Sequence, residues 1–192
     1  MWHRETGRVF VAGPDTHAHR STMSLGQLVG VRFRPGRAPA GLGVPSHALR
    51  DDRVDLDLLW PGWRVRRLVG ELQTTQSVLD AEQVLAAEVA SDLTEWDPAA
   101  PQLLELVARG ERVASVADVL GWSERQLHRR SLAAFGYGPK VLQRVVRFDR
   151  AIKMARRGAG LASVAHETGY ADQAHLAREV KALAGVPMTE LL

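Results

Sequence analysis

Cysteine is absent from this 192-residue sequence. Disulfides and thiolate metal sites are therefore excluded, which suits a reducing cytoplasm. No apolar run approaches the roughly 18 residues needed to cross a bilayer. The residues after Met1 do not read as a basic-then-apolar leader. No membrane partner is expected, and the expected location is cytoplasmic. No Ser/His/Asp set, P-loop or GxGxxG pattern occurs, so neither an enzyme nor a bound cofactor is expected. What is present is ordinary for a globular chain, with 45% hydrophobic and 24% charged residues. The length suffices for one domain with a full core or for two small ones.

Acidic residues are nearly missing from one stretch. Residues 1–100 hold 11 Lys/Arg and 13 Asp/Glu, a net of −2, whereas residues 101–192 hold 14 and 9, a net of +5. Between Arg125 and Arg157 stand ten basic residues and a single acid, Asp149. A local excess of +9 in a chain of net +3 is the footprint of a polyanion-binding surface, or of a solvated helical face.

The pattern along the chain changes twice. Strands are predicted at Arg8–Ala12 and at Gln27–Arg34, where Val29, Val31 and Phe33 alternate with Gly30, Arg32 and Arg34. Gly13-Pro14 and Pro35-Gly36 punctuate them. Residues 37–95 turn to a helical habit. A short helix opens at Pro45-Ser46, a second covers Asp57–Leu72 with a break at Pro61-Gly62, and a third covers Ser77–Val89. Trp60 and Trp63, three residues apart, are expected in the core. Asp92–Pro101, with two prolines, reads as a linker, and everything after it as helix.

That last part contains an internal repeat. Val113-Ala114-Ser115-Val116-Ala117 recurs as Leu161-Ala162-Ser163-Val164-Ala165, and Gly121-Trp122 as Gly169-Tyr170. After one extra residue, Leu127-x-Arg129 recurs as Leu176-x-Arg178, and Gly136 as Gly185. Each copy reads as a short helix, a Gly-aromatic turn, a cap (Ser123 or Asp172) and a second helix closed by glycine. This is the order of a helix-turn-helix, whose second helix enters the major groove. Between the copies, Gly138-Pro139 opens a helix running to Arg157. One side of it carries Val141, Val145, Phe148, Ile152 and Ala155, and the other Lys140, Arg144, Arg147, Arg150 and Arg157.

Residues 102–191 closely resemble the DNA-binding domain of AraC/XylS-type transcriptional regulators. The resemblance rests on Gly121-Trp122-Ser123, Leu127-His128-Arg129, Gly136-x-x-Pro139, Arg147-x-x-x-Ala151 and Gly169-Tyr170-x-Asp172-Gln173-x-His175-Leu176-x-Arg178. It implies seven helices and an activator or repressor acting through two adjacent major grooves. This sequence departs from the family at Ser131 and Val180, where an aromatic is usual, at Pro187, which lies one residue early, and in lacking a closing Tyr-Arg. Residues 9–60 resemble the end of a sensor-like domain that precedes this module in some such regulators. The matching stretches are Val11-Ala12-Gly13-Pro14-x-Thr16, Gly30-Val31-Arg32-Phe33-Arg34-Pro35-Gly36, Leu42-Gly43-Val44-Pro45 and Val54-Asp55-Leu56. Met1-Trp2-His3 would then fall inside a strand, and the expectation is a truncated domain, through a misplaced start or a natural shortening. Its exposed edges would favour self-association.

The expected chain is thus α+β. A small, truncated β-containing region with helices, residues 1–95, precedes an all-α domain, residues 96–192, of two helix-turn-helix units joined by a long helix. With Leu127 and Leu176 facing the core, Arg125, His128 and Arg129 of one unit and Gln173, Ala174, His175 and Arg178 of the other are the candidate base contacts. Arginine suits guanine O6/N7, glutamine adenine N6/N7, and an alanine methyl the thymine methyl. Lys140, Arg144 and Arg147 are the candidate phosphate contacts, which position without specifying. Any of these can instead be an ordinary exposed side chain. Double-stranded DNA is the expected partner, with RNA polymerase and a small-molecule effector as further candidates, and the chain is expected to act as monomer or homodimer. The alternative is a small-molecule or metal-binding module whose helical half serves protein interaction. His17-x-His19, with His3 and His47 elsewhere, has ligand-like spacing, but exposed loop histidines are the preferred reading.

Overall fold

The computed structural model describes residues 1–19, 26–90 and 97–192. They group into two units. One comprises Met1–Pro14, Ser21–Pro101 and Leu132–Gly136, and the other Asp15–Arg20, Gln102–Ser131 and Tyr137–Leu192. The described residues are mostly helical with one small antiparallel sheet, an α+β chain.

In the first unit the sheet holds β1 (Trp2–His3), β2 (Arg8–Ala12), β3 (Leu28–Val29) and β4 (Arg53–Asp55), in the order β3-β1-β2-β4. The strand expected over Gln27–Arg34 pairs only at Leu28–Val29. In its register Val29 faces Trp2 and Leu28 faces His3. The side-chain alternation outlasts the ladder, because Val31 and Phe33 still pack on the core. β4 pairs Arg53, Val54 and Asp55 with Ala12, Val11 and Phe10 inside a stretch expected to be helical. Three residues are too few for period-two alternation to register.

Helices contribute to the same core. They are α1 (Ala38–Leu42), α2 (Gly62–Gln73) and α3 (Val78–Ala90), with 3-10 turns at Ser46–Leu49 and Leu56–Leu58. The expected Asp57–Leu72 helix is therefore two elements, divided at Pro61, whose backbone is extended and which caps α2. The division separates the two tryptophans. Trp60 precedes the helix, lies 7% exposed in the core and donates its indole N–H to Gly41 O at 3.1 Å. Trp63, on α2, is 63% exposed, contrary to expectation. α3 begins with a reciprocal cap, Asp80 N–H to Ser77 Oγ and Ser77 N–H to the Asp80 carboxylate, both at 3.1 Å.

A charge lies buried between α2 and α3. Glu88 is 8% exposed, and its two carboxylate oxygens accept from Arg64 Nε and Arg67 Nη2. Arg64 also donates to the Glu88 carbonyl at 3.1 Å and lies 3.7 Å over the Trp60 ring.

After residue 97 come α4 (Ala100–Ala108), α5 (Val113–Leu120), α6 (Glu124–Phe135), α7 (Pro139–Arg156), α8 (Leu161–Thr168) and α9 (Gln173–Ala184), then a 3-10 turn at Met188–Glu190. Where seven helices were implied, the described residues hold six α-helices and that turn. Residues 92–96 of the expected linker lie outside the described residues, and its end is corrected, since Pro101 sits in the first turn of α4. Proline is tolerated there because that N–H has no intrahelical acceptor.

α7 organises the second unit. It packs against both α8 and α9. Its buried residues are Pro139, Leu142, Ala151, Ile152 and Ala155, while Val141, Val145 and Phe148 are only half-buried. The apolar stripe is thus rotated from the expected one and takes in Leu142 and Ala151. Ala151, Ile152 and Ala155 share a core with Val164, Ala165, Tyr170, Leu176, Val180 and Met188.

Glu88→Ala leaves two guanidinium groups facing a vacated, mostly buried site. The variant is expected to lose about 3 kcal/mol of stability, as when one partner of a buried ion pair is removed. Urea unfolding measures this, and a loss below about 1 kcal/mol would class the contact with exposed pairs.

Candidate nucleic-acid interface

Two helix pairs of one local design lie in residues 113–184. In the first, α5 ends at Gly121, which takes φ +66°, and Trp122 N–H returns to Ala117 O at 2.9 Å. In the second, α8 ends at Gly169 at φ +79°, and Tyr170 N–H returns to Ala165 O at 2.9 Å. Both are the left-handed closure that glycine adopts without a Cβ clash.

The next helix of each pair then needs a cap, and the two caps differ. Ser123 Oγ accepts Gln126 N–H at 3.2 Å, and Gln126 Oε1 accepts Ser123 N–H at 2.8 Å, a reciprocal box. Asp172 Oδ1 accepts His175 N–H at 2.6 Å, and His175 Nδ1 accepts Ala171 N–H at 3.2 Å. The His175 ring also stands edge-on to Tyr170, with centroids 5.3 Å apart.

Caps set the rotation of each helix, and a leucine fixes it. Leu127 is 0% and Leu176 1% exposed. Arg125, His128 and Arg129 are consequently exposed on α6, and Gln173, Ala174, Ala177 and Arg178 on α9, with His175 half-buried. The structure thus brings the candidate base contacts onto the outer face of two capped helices. His128 is the most constrained of the first set. A Cβ at Gly138 would stand 2.8 Å from its Nε2, so the ring lies against the start of α7.

Ser131 and Val180, small where the resembling family has aromatics, are both 0% exposed. Ser131 Oγ donates to Tyr137 O at 2.7 Å, so its hydroxyl is satisfied at the corner between α6 and α7. No void needs to be invoked to account for a serine at this site.

The three candidate phosphate contacts separate. Lys140 is exposed. Arg144 instead grips Glu179 of α9 with two bonds, Nε to Oε2 at 3.0 Å and Nη2 to Oε1 at 3.3 Å. Arg147 Nη2 lies 3.9 Å from the same carboxylate, its Nη1 donates to Gly169 O at 3.4 Å, and its guanidinium is 4.5 Å over the Tyr170 ring. One acid and one aromatic therefore tie α7 to α9 and to the turn before it. The Arg144 hydrogen bond is the main reason the Glu179 carboxyl is held below its ordinary value, while burial pushes the Tyr170 hydroxyl up. Glu179 was missed in the sequence, although it is the sole acid within α9.

His17 and His19 are exposed, and among the described residues no group of three or more His, Asp or Glu is placed to hold a metal. No helix of the described residues is long and apolar enough to cross a membrane.

Residues 116–192 match a protein family described as a helix-turn-helix domain. No curated protein and no solved structure shows significant similarity to the chain. The match supports a DNA-binding helix-turn-helix domain over those residues, of the kind that transcription regulators carry.

Glu179→Gln removes the charge that holds Arg144 while keeping its shape. A cost of about 1–2 kcal/mol at neutral pH is expected, since a hydrogen bond to a charged group is worth about 1.5–3 kcal/mol and solvent weakens this partly exposed pair. Because the folded carboxyl titrates below its ordinary 4.5, the stabilisation is full above that pH and is lost as pH falls through the folded value. The variant and the wild type should converge on acidification. Thermal melts between pH 3 and pH 7 measure this, and an equal deficit at both ends would assign the loss to packing.

Proposed function

We propose that residues 96–192 form a sequence-specific DNA reader with two helix-turn-helix units, and that residues 1–95 are a partial sensor-like domain attached to it. One observation carries the reading. Twice in this chain a glycine-closed helix, an aromatic turn and a capped second helix bury one leucine and leave an arginine exposed two positions later. The helix-turn-helix family match over residues 116–192 supports it.

In this reading α6 offers Arg125, His128 and Arg129 to one major groove, and α9 offers Gln173, Ala174, His175 and Arg178 to the next. The grooves lie one turn apart, roughly 34 Å. The two sets differ, so the site is two short unlike blocks, and one monomer covers it. Lys140 contacts phosphate directly. Arg144 and Arg147 reach phosphate only with the edges that Glu179 leaves open, and their larger part is to hold α9 against α7. RNA polymerase and a small-molecule effector are the further partners proposed, in a cytoplasmic regulator.

Arg129→Ala should relax base preference in one block only, and Arg178→Ala in the other. Each costs about 1–3 kcal/mol if the arginine reads a guanine. In vitro selection of bound DNA tests this, and a single palindromic block, or both variants relaxing the same positions, would refute the arrangement. Lys140→Ala should weaken all sequences alike and flatten the log–log salt slope by roughly one unit. An unchanged slope removes Lys140 from the interface.

A further inference from the structure

The hydrogen bonds at the start of α9 determine how its histidine meets a ligand. His175 stands at the third helical position, where a side chain can reach back to a free backbone N–H before the helix. Its Nδ1 accepts the Ala171 N–H at 3.2 Å. An accepting Nδ1 carries no proton, so the neutral ring carries its proton on Nε2. The ring is held in this orientation from a second side by the edge-on contact with Tyr170. Nε2 is not among the buried unpartnered atoms, and among the described residues no acceptor is bonded to it.

The other copy contains the same arrangement in different chemistry. Gln126 holds the matching post on α6, and its Oε1 accepts the Ser123 N–H at 2.8 Å. A glutamine that accepts on its cap side has an amide NH2 on the other. Both posts therefore place an acceptor toward the cap and leave a donor behind.

We propose that His175 is a specificity-determining residue that acts as a donor only, its Nε2–H meeting an acceptor on the edge of a base in the major groove. The first turn of a reading helix is where base edges are approached. Guanine O6 and N7, thymine O4 and adenine N7 accept there, whereas cytosine presents only its N4 amino donor. His175 thus selects against cytosine at one position of the block read by α9. This rests on the DNA-reading assignment of α9 and adds to it the atom and the class of base.

The test is in vitro selection with the wild-type chain, His175→Gln and His175→Glu. Both substitutions can still accept the Ala171 N–H, so thermal stability should stay near wild type. Glutamine keeps an outward donor and should keep cytosine disfavoured. Glutamate presents an acceptor and should favour cytosine instead, by about 3- to 10-fold, the span of a single hydrogen bond. Continued rejection of cytosine by the glutamate variant would overturn the proposal. So would a loss in either variant that is uniform across sequences, since that is the behaviour of a phosphate contact. A wild-type chain that selects no sequence at all would instead refute the DNA-reading assignment, a result distinct from both.

Discussion

The exposed faces of α6 and α9 depend on how the chain reverses before each of them. At Gly121 and Gly169 the backbone turns left-handed, and the following aromatic N–H closes back on the preceding helix. Only after that closure does a cap residue stand where it can accept the next helix's N–H groups. Only with the cap in place do Leu127 and Leu176 point inward. The direction of every exposed side chain on α6 and α9 follows from that chain of conditions. A side chain at either glycine would strain the first step, and the exposed arginines downstream would be displaced with it.

α7 gives the second pair a further restraint that the first lacks in the same form. The carboxylate of Glu179 gathers Arg144 and Arg147, and Arg147 spans from that carboxylate to Gly169 O and the Tyr170 ring. The aromatic turn residue is therefore more than filler, because it is the surface on which a charged side chain from α7 rests. In the first pair Trp122 is also stacked by an arginine, 4.4 Å away, but that arginine is Arg130 of α6. The first turn is braced by the helix that follows it, and the second by the helix that connects the copies.

What could be read from the sequence was what depends on near neighbours. The caps Ser123 and Asp172, the glycine closures, the inward leucines and the start of α7 at Pro139 all arise from contacts within a few residues, where spacing carries the information. What could not be read involved partners far along the chain. The clasp between Arg144 and Glu179 joins residues 35 apart, and no periodicity announces it. Leu28–Val29 and Arg53–Asp55 become strands only because β1 and β2 are there to pair with. Trp63 was misplaced for a local reason, since Pro61 ends one element and caps the next, which separates it from Trp60. His128 and His175 look alike in the sequence, yet one lies against Gly138 and the other completes a cap.

The turn of the second copy is one residue longer than that of the first, and the additional residue is Ala171. An inserted residue brings one more backbone N–H, and here His175 absorbs it. The consequence is polarity. Two units that differ in both loop length and capping chemistry cannot be exchanged by a twofold rotation, so the proposed reader has a front and a back. Turning a duplex end for end presents each unit with the other's block. A protein of this kind can register the direction of the DNA beneath it, as well as its address, with a single chain.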